Sequence, residues 1–147
     1  MREWESYFTG EYGWPRYSEY HHALLPHGGN ITNAERLRAA EEFSQGLITV
    51  VGQPHNGNLP RRKGFITVTP SSAHLMVMRA KERQGFELRF LEVEGKHGSA
   101  SVELALPMAA ASETNLLGKK LTEVSSDSGK LSFELQPWRV RTFEIGL

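Results

Sequence analysis

The stretch Ala100-Ser101-Val102-Glu103-Leu104-Ala105-Leu106 decides the fold of this 147-residue chain. Its larger apolar residues alternate with small or charged residues until Pro107 ends the pattern. An alternation of period two places every second side chain on the same face of a β-strand. One face then points to a core and the other to water. The stretch therefore predicts a half-buried strand of an antiparallel sheet.

Similar patterns lie on both sides of this stretch. Residues 86–90 and 131–135 alternate Phe or Leu with charged or small residues, and glycine-containing turns separate the segments. The apolar positions change phase after Phe90, which predicts a β-bulge there. Trp138 and Val140 alternate with Arg139 and Arg141, which predicts that Trp138 and Val140 share one face of the last strand. The fold class predicted is mainly β: an antiparallel β-sandwich with one short α-helix near the N-terminal third.

One segment carries the signature of that helix. Thr32 is followed three residues later by Glu35, which predicts a capping box. An apolar stripe at helical spacing comes next; its members are Leu37, Ala40 and Phe43. Two short apolar runs flank the helix, at residues 20–25 and 47–51, and both have the length of strands.

The composition changes near residue 60 and predicts two portions. Residues 1–60 form an aromatic-rich lead-in, strand and helix that dock on the sandwich, and residues 61–147 form the C-terminal β-sandwich. Half of all aromatic residues lie within the first 20 positions. Such side chains suit stacking on pyranose rings, packing on this chain's own sheet, or packing on a missing neighbour. The candidate carbohydrate-binding residues are Tyr12, Trp14 and Tyr17.

The composition excludes several classes of function. Lys and Arg total 17 and Asp and Glu total 17, so no strong attraction to nucleic acid or to an anionic membrane is expected. The absence of Cys excludes a thiol nucleophile and a disulfide framework. No run of 18 or more apolar residues occurs, so no membrane span is predicted. The amino end has no apolar signal core, which favours a soluble protein of the cytoplasm.

No motif in the chain predicts catalysis. His21, His22 and His27 are the densest set of potential metal ligands, but they lack the usual zinc spacing, so a structural role is expected and no metal or cofactor is predicted. His74 and His97 are predicted to lie on the surface. A glycosidase needs two carboxyl groups about 5–9.5 Å apart. The candidate acids alternate with apolar residues, which predicts a solvated sheet face; they include Glu87, Glu92, Glu94, Glu103, Glu134 and Glu144.

Two segments carry a family resemblance. The first is Tyr20-His21-His22-Ala23-Leu24-Leu25-Pro26-His27-Gly28-Gly29, followed by the helix at residues 34–44. The second is Ala111-Ser112-Glu113-Thr114-Asn115-Leu116-Leu117-Gly118, followed by the strands within residues 131–143. Together they resemble the carboxy-terminal region of glycoside hydrolase family 38, the α-mannosidases. The resemblance covers nearly all of residues 20–145.

The resemblance implies a role without catalysis. In that family the zinc ligands, the Asp nucleophile and the acid/base carboxyl belong to an amino-terminal portion that these residues do not match. Zinc is therefore expected in a catalytic domain of the parent enzyme, and this chain is expected to be inactive alone. The implied partners are those catalytic domains, and the aromatic lead-in and Arg61-Arg62-Lys63 are expected to face them. An apolar face left exposed without those domains is expected to favour self-association. The alternatives to this role are a carbohydrate-binding module that uses exposed aromatic residues and an immunoglobulin-like interaction domain.

Overall fold

The computed structural model describes residues 19–53, 56–58, 60–81, 85–124, 126–127 and 129–147. These residues form one α-helix, α1 (Asn33–Ser44), and nine β-strands. None of the described helical structure is long and apolar enough to cross a membrane. The strands are β1 (Ile66–Thr69), β2 (Ala73–Lys81), β3 (Gly85–Glu92), β4 (Gly98–Leu104), β5 (Ala110–Thr114), β6 (Lys120–Val124), β7 (Ser126–Asp127), β8 (Lys130–Leu135) and β9 (Val140–Gly146).

The strands form two antiparallel sheets. One sheet has four strands in the order β1-β4-β8-β7, and the other has five in the order β2-β3-β9-β5-β6. Both sheets contribute buried residues to a single core. The predicted fold class, a mainly β antiparallel sandwich with a helix in the N-terminal third, is confirmed.

Three phenylalanines form the centre of the core. The ring centroids of Phe90 and Phe133 lie 5.2 Å apart, and those of Phe133 and Phe143 lie 4.6 Å apart. Phe90 and Phe143 belong to the five-stranded sheet, whereas Phe133 belongs to the four-stranded sheet. Tilted pairs at these distances are favourable beyond the area they bury. The aromatic cluster therefore joins the two layers.

The helix begins as predicted. The Thr32 side chain accepts a hydrogen bond from the backbone N–H of Glu35, and the Glu35 carboxylate accepts one from the backbone N–H of Thr32. The predicted apolar stripe, however, does not face a core. Leu37 is 37% exposed and Phe43 is 52% exposed, and Ala34 is the buried residue of α1.

Several predicted strand features are wrong in detail. A register shift does occur next to Phe90, but the extra residue is on the neighbouring strand: Leu75 of β2 pairs with Phe90 and Val77 pairs with Arg89, whereas the pairing of β3 with β9 continues through Phe90 without a shift. The apparent change of phase arises because β3 ends at Glu92 and Val93 is buried from the following loop. Trp138 precedes β9 instead of beginning it. Residues 20–25 and 47–51 lie in neither sheet.

Candidate functional site

The aromatic residues predicted to bind carbohydrate lie outside the described part of the chain. Tyr12, Trp14 and Tyr17 precede residue 19, where the described structure begins. Their role in glycan binding therefore stays a prediction.

The histidines near the helix make local contacts. His27 Nδ1 lies 3.0 Å from the carbonyl oxygen of Gly29, and His21 Nε2 lies 3.5 Å from a carboxylate oxygen of Glu19. His22 is exposed. Within the residues that the structure describes, no three His, Asp or Glu side chains are grouped so as to hold a metal ion.

Two of the candidate acids are buried, so the predicted solvated face is wrong for them. Glu87 is 2% exposed and Glu92 is 1% exposed, and both lie on β3. Burying a carboxylate is costly unless it is paired or hydrogen-bonded. Both carboxylates meet this condition, each in a different way.

Glu87 is neutralised by two arginines on the outer face of the five-stranded sheet. Its carboxylate oxygens lie 2.8 Å from Nη2 of Arg79 and 3.1 Å from Nη2 of Arg89. Arg79 stands directly across from Glu87 on β2, and Arg89 lies two residues further along β3. Arg89 also donates to the Thr142 hydroxyl, at 3.3 Å. Glu87 is therefore a structural residue, whose network of contacts connects the neighbouring strands β2, β3 and β9.

Glu92 is held by backbone N–H groups from two loops. Its Oε1 accepts from Glu94 at 2.9 Å, and its Oε2 accepts from Gly95 at 2.8 Å and from Trp138 at 3.1 Å. Burial raises the pKa of Glu92, but the N–H groups of Glu94, Trp138, Lys96 and Gly95 lower it, and the net shift is downward. The charged carboxylate thus joins the β3–β4 turn to the turn before β9.

The helix is docked on the β3–β4 turn. The Asn33 amide donates to the carbonyl oxygen of Val93 at 2.8 Å, and the backbone N–H of Ala34 donates to Glu94 Oε1 at 2.9 Å. Further along α1, the Glu41 carboxylate lies 3.0 Å from Nε2 of His74 on β2. The His74 side chain is 15% exposed, so its predicted surface position is wrong. His97 is exposed, as predicted.

An exposed apolar segment, Leu47-Ile48-Thr49-Val50-Val51, follows the helix. Its four large apolar residues are 85–99% exposed. In an extended chain Leu47 and Val51 lie on one face, and Ile48 and Val50 lie on the other. A strand that is apolar on both faces is typical of one covered on both sides. Within the described structure this segment has no cover.

Other apolar side chains are exposed in the same N-terminal portion. Between residues 20 and 46 these include Tyr20, Leu24, Leu25, Leu37 and Phe43. The basic run Arg61-Arg62-Lys63 is also exposed. Apolar and basic side chains are thus exposed at many positions of the described chain that precedes β1.

The two halves of the second resemblance segment meet in space. The guanidinium of Arg141 contacts both carboxylate oxygens of Glu113, at 2.5 Å and 2.7 Å, and also donates to the carbonyl oxygen of Glu134 at 2.9 Å. The guanidinium carbon lies 5.8 Å from the ring centroid of Phe133 and 5.6 Å from that of Phe143. The pair therefore covers one end of the core and bridges the two sheets.

The rest of that segment shapes a turn. The side-chain oxygen of Asn115 accepts from the backbone N–H groups of Leu117 and Lys119, at 3.0 Å and 2.9 Å. Gly118 adopts a φ of 80°, a conformation that a residue without a side chain takes without strain. Leu116 and Leu117 are exposed at this turn. The polar residues of the segment thus have structural roles, which sequence spacing alone did not reveal.

The two sheets and their shared core define the class of protein, a β-sandwich domain. Residues 72–143 match the family described as the glycosyl hydrolases family 38 C-terminal beta sandwich domain. This part of the chain belongs to that family, so the resemblance seen in the sequence is confirmed there. The matched residues extend from just before β2 into β9, whereas α1 and the exposed apolar segment precede them.

Comparisons with other proteins add little to this assignment. No curated protein matches the chain. Among solved structures, the chain is similar to the apo exo-carrageenase GH42 from Bacteroides ovatus, with 18% sequence identity and a TM-score of 0.40. The similar region covers 56% of this chain and 11% of that enzyme. A likeness of this size bears on neither fold nor function.

Proposed function

We propose that this chain is the non-catalytic C-terminal β-sandwich portion of an α-mannosidase-like glycoside hydrolase. In this role it packs on the catalytic domains of the parent enzyme and stabilises them. Membership of residues 72–143 in the family 38 sandwich domain supports the parentage. The zinc and the bond-breaking carboxyl groups belong to the catalytic domains.

The exposed apolar segment is the observation that carries this proposal. Burying each of its four large side chains is worth about 1.5–3 kcal/mol relative to leaving it in water. The sandwich core is already filled, and the segment lies outside both sheets. Burial of this segment against the catalytic domains would therefore contribute substantially to the free energy of association. Without them, the same segment favours self-association of copies of this chain.

The packing role predicts a variant that loses association but keeps its fold. In Ile48→Asp/Val50→Asp, two side chains that are 93% and 85% exposed become charged, so the free energy of unfolding should change by less than about 0.5 kcal/mol per site. Binding to a separately produced catalytic region of the parent enzyme should weaken at least about 100-fold, because two charges would be buried unpaired. Isothermal titration calorimetry measures the binding, and urea unfolding measures the stability.

The matched control is Gln53→Asp/Asn58→Asp. It adds the same charge at two exposed polar positions close in sequence to the segment. This control should bind within about threefold of the unaltered chain. Equal binding by all three proteins would show that the segment takes no part in association and would remove the main support for the proposal.

The same role predicts that the chain alone has no hydrolytic activity. With zinc supplied, the purified chain should release no 4-nitrophenol from 4-nitrophenyl α-mannoside above the buffer background. A catalytic region assayed in parallel gives the positive control. Zinc-dependent turnover that co-purifies with this chain would contradict the assignment of catalysis to other domains.

A further inference from the structure

The turn before β9 holds a tryptophan in an unusual backbone conformation. The backbone N–H of Arg139 donates to the carbonyl oxygen of Gln136 at 3.1 Å, which closes a β-turn with Pro137 and Trp138 at its centre. Trp138 has a φ of 58°. Proline followed by a residue of positive φ is the pattern of a type II turn, whose third position normally holds Gly or Asn. A side chain as large as Trp is strained there.

Two contacts outside the turn keep Trp138 in place. Its backbone N–H donates to the buried carboxylate of Glu92 at 3.1 Å. Its indole packs against Gly95, so closely that a Cβ at residue 95 would lie 2.8 Å from Cζ2 and 2.9 Å from Nε1. The absence of a side chain at Gly95 therefore makes room for the indole. The Glu92 carboxylate thus holds the backbone of Trp138, and Gly95 accommodates its ring.

This fixed side chain nevertheless faces solvent. Trp138 is 60% exposed, so its indole adds little to the hydrophobic core. Strained residues persist where the surroundings over-determine them, and they cluster at ligand sites. An oriented, exposed aromatic ring loses little conformational entropy when a ligand stacks on it. These properties suit a binding platform better than a packing residue.

Polar side chains line a cleft at the β3–β4 turn, the turn whose Gly95 contacts the indole; Trp138 itself does not line this cleft. The cleft has a volume of about 350 Å³, and Glu94 and Lys96, on either side of Gly95 in the sequence, contribute to its wall. Its other polar lining residues are Thr32, Ser71, Ser72 and His97. Hydroxyl, carboxylate and ammonium groups together can donate to and accept from a ring of hydroxyls. A pyranose offers an apolar C–H face to an aromatic ring and such hydroxyls at its rim.

We propose that Trp138 is the stacking platform of a saccharide-binding site, with the cleft beside the β3–β4 turn holding the hydroxyls of a pyranoside. This site differs from the predicted one at Tyr12, Trp14 and Tyr17. It also goes beyond the packing role, since it uses a different surface from the exposed apolar segment. The two proposals can therefore fail independently.

The chain offers a direct test, because it has three tryptophans whose indole N–H signals can be followed separately by NMR. Methyl α-D-mannopyranoside and a mannobiose are titrated into the ¹⁵N-labelled chain at millimolar concentrations. The Nε1–H signal of Trp138 should shift and saturate, while those of Trp4 and Trp14 stay unchanged. In Trp138→Gly, which also relieves the positive-φ strain, binding should weaken at least about tenfold.

Two further variants separate stacking from folding. Trp138→Phe keeps an aromatic ring and should retain binding within about fivefold, since stacking needs a π-face and not the indole nitrogen. Thermal unfolding of each variant checks that the sandwich is intact. Trp138→Gly should leave affinity for the catalytic region unchanged. The proposal is overturned by an unshifted Trp138 signal at saturating sugar, by a shift of Trp14 alone, or by weaker binding of Trp138→Gly to the catalytic region.

Discussion

A Glu92→Gln variant is expected to lose about 2–4 kcal/mol of its free energy of unfolding, because a buried anion that accepts backbone hydrogen bonds becomes a neutral amide. Glutamine keeps one acceptor oxygen, but it turns an NH₂ group towards N–H donors that now lack a partner. Both turns, and the helix contact through Glu94, depend on this carboxylate. Urea unfolding followed by far-UV circular dichroism measures the loss.

The matched control is Glu103→Gln on β4. The Glu103 side chain is 62% exposed and pairs with Lys130 at 3.3 Å. Its replacement should cost less than about 0.5 kcal/mol. If Glu92→Gln were no more destabilising than this control, the carboxylate could not be the group that orders the two turns.

The same carboxylate gives the stability a defined pH dependence. The pKa of Glu92 lies below its ordinary value of 4.5 in the folded protein, so the unfolded chain binds a proton more readily. The stabilisation is therefore complete above about pH 4.5 and is lost as the pH falls through the folded-state pKa. The difference in stability between the unaltered chain and Glu92→Gln should narrow steadily below about pH 4.5. A difference that stays constant down to full acid unfolding would contradict this account.

The second large effect is expected at the ion pair over the end of the core. Arg141→Met should cost about 2–3 kcal/mol, because it leaves the Glu113 carboxylate, whose side chain is 17% exposed, without its bidentate partner. The lost contacts of the guanidinium with Phe133 and Phe143 add to this cost. The variant is compared with the unaltered chain by chemical unfolding.

A double variant separates the two contributions. Glu113→Gln/Arg141→Met removes both charges, so it should be less destabilised than the sum of the two single variants. Lys120→Met is the exposed control, since the pair of Lys120 with Glu123 lies in solvent at 2.8 Å and should matter by less than about 0.5 kcal/mol. Strict additivity of the two single losses would mean that the two side chains do not act as a pair.

The sequence predicted the sandwich from its local periodicity. Alternation of period two at residues 100–104 and 131–135 depends only on which face of a strand meets the core, and both segments form strands with the expected buried faces. The capping box at Thr32 and Glu35 was equally predictable, because its contacts lie within four residues.

Features that depend on distant residues escaped prediction. Glu87 and Glu92 occupy polar positions of an alternating strand, and only the tertiary structure supplies the arginines and N–H groups that bury them. Residues 47–51 have the composition of a buried strand, but strand formation requires pairing with a neighbour, and the segment pairs with neither sheet. The contact of Trp138 with Gly95 joins residues 43 positions apart and leaves no mark in local spacing.

The order of the strands has a consequence for how this domain folds. β3 pairs with β9 and β1 pairs with β4, so long stretches of chain must close before these ladders begin to form. Sandwiches dominated by such pairings fold in milliseconds to seconds, more slowly than helical proteins. During this interval unpaired strand edges are open to other chains. We therefore expect refolding yields to fall as protein concentration rises.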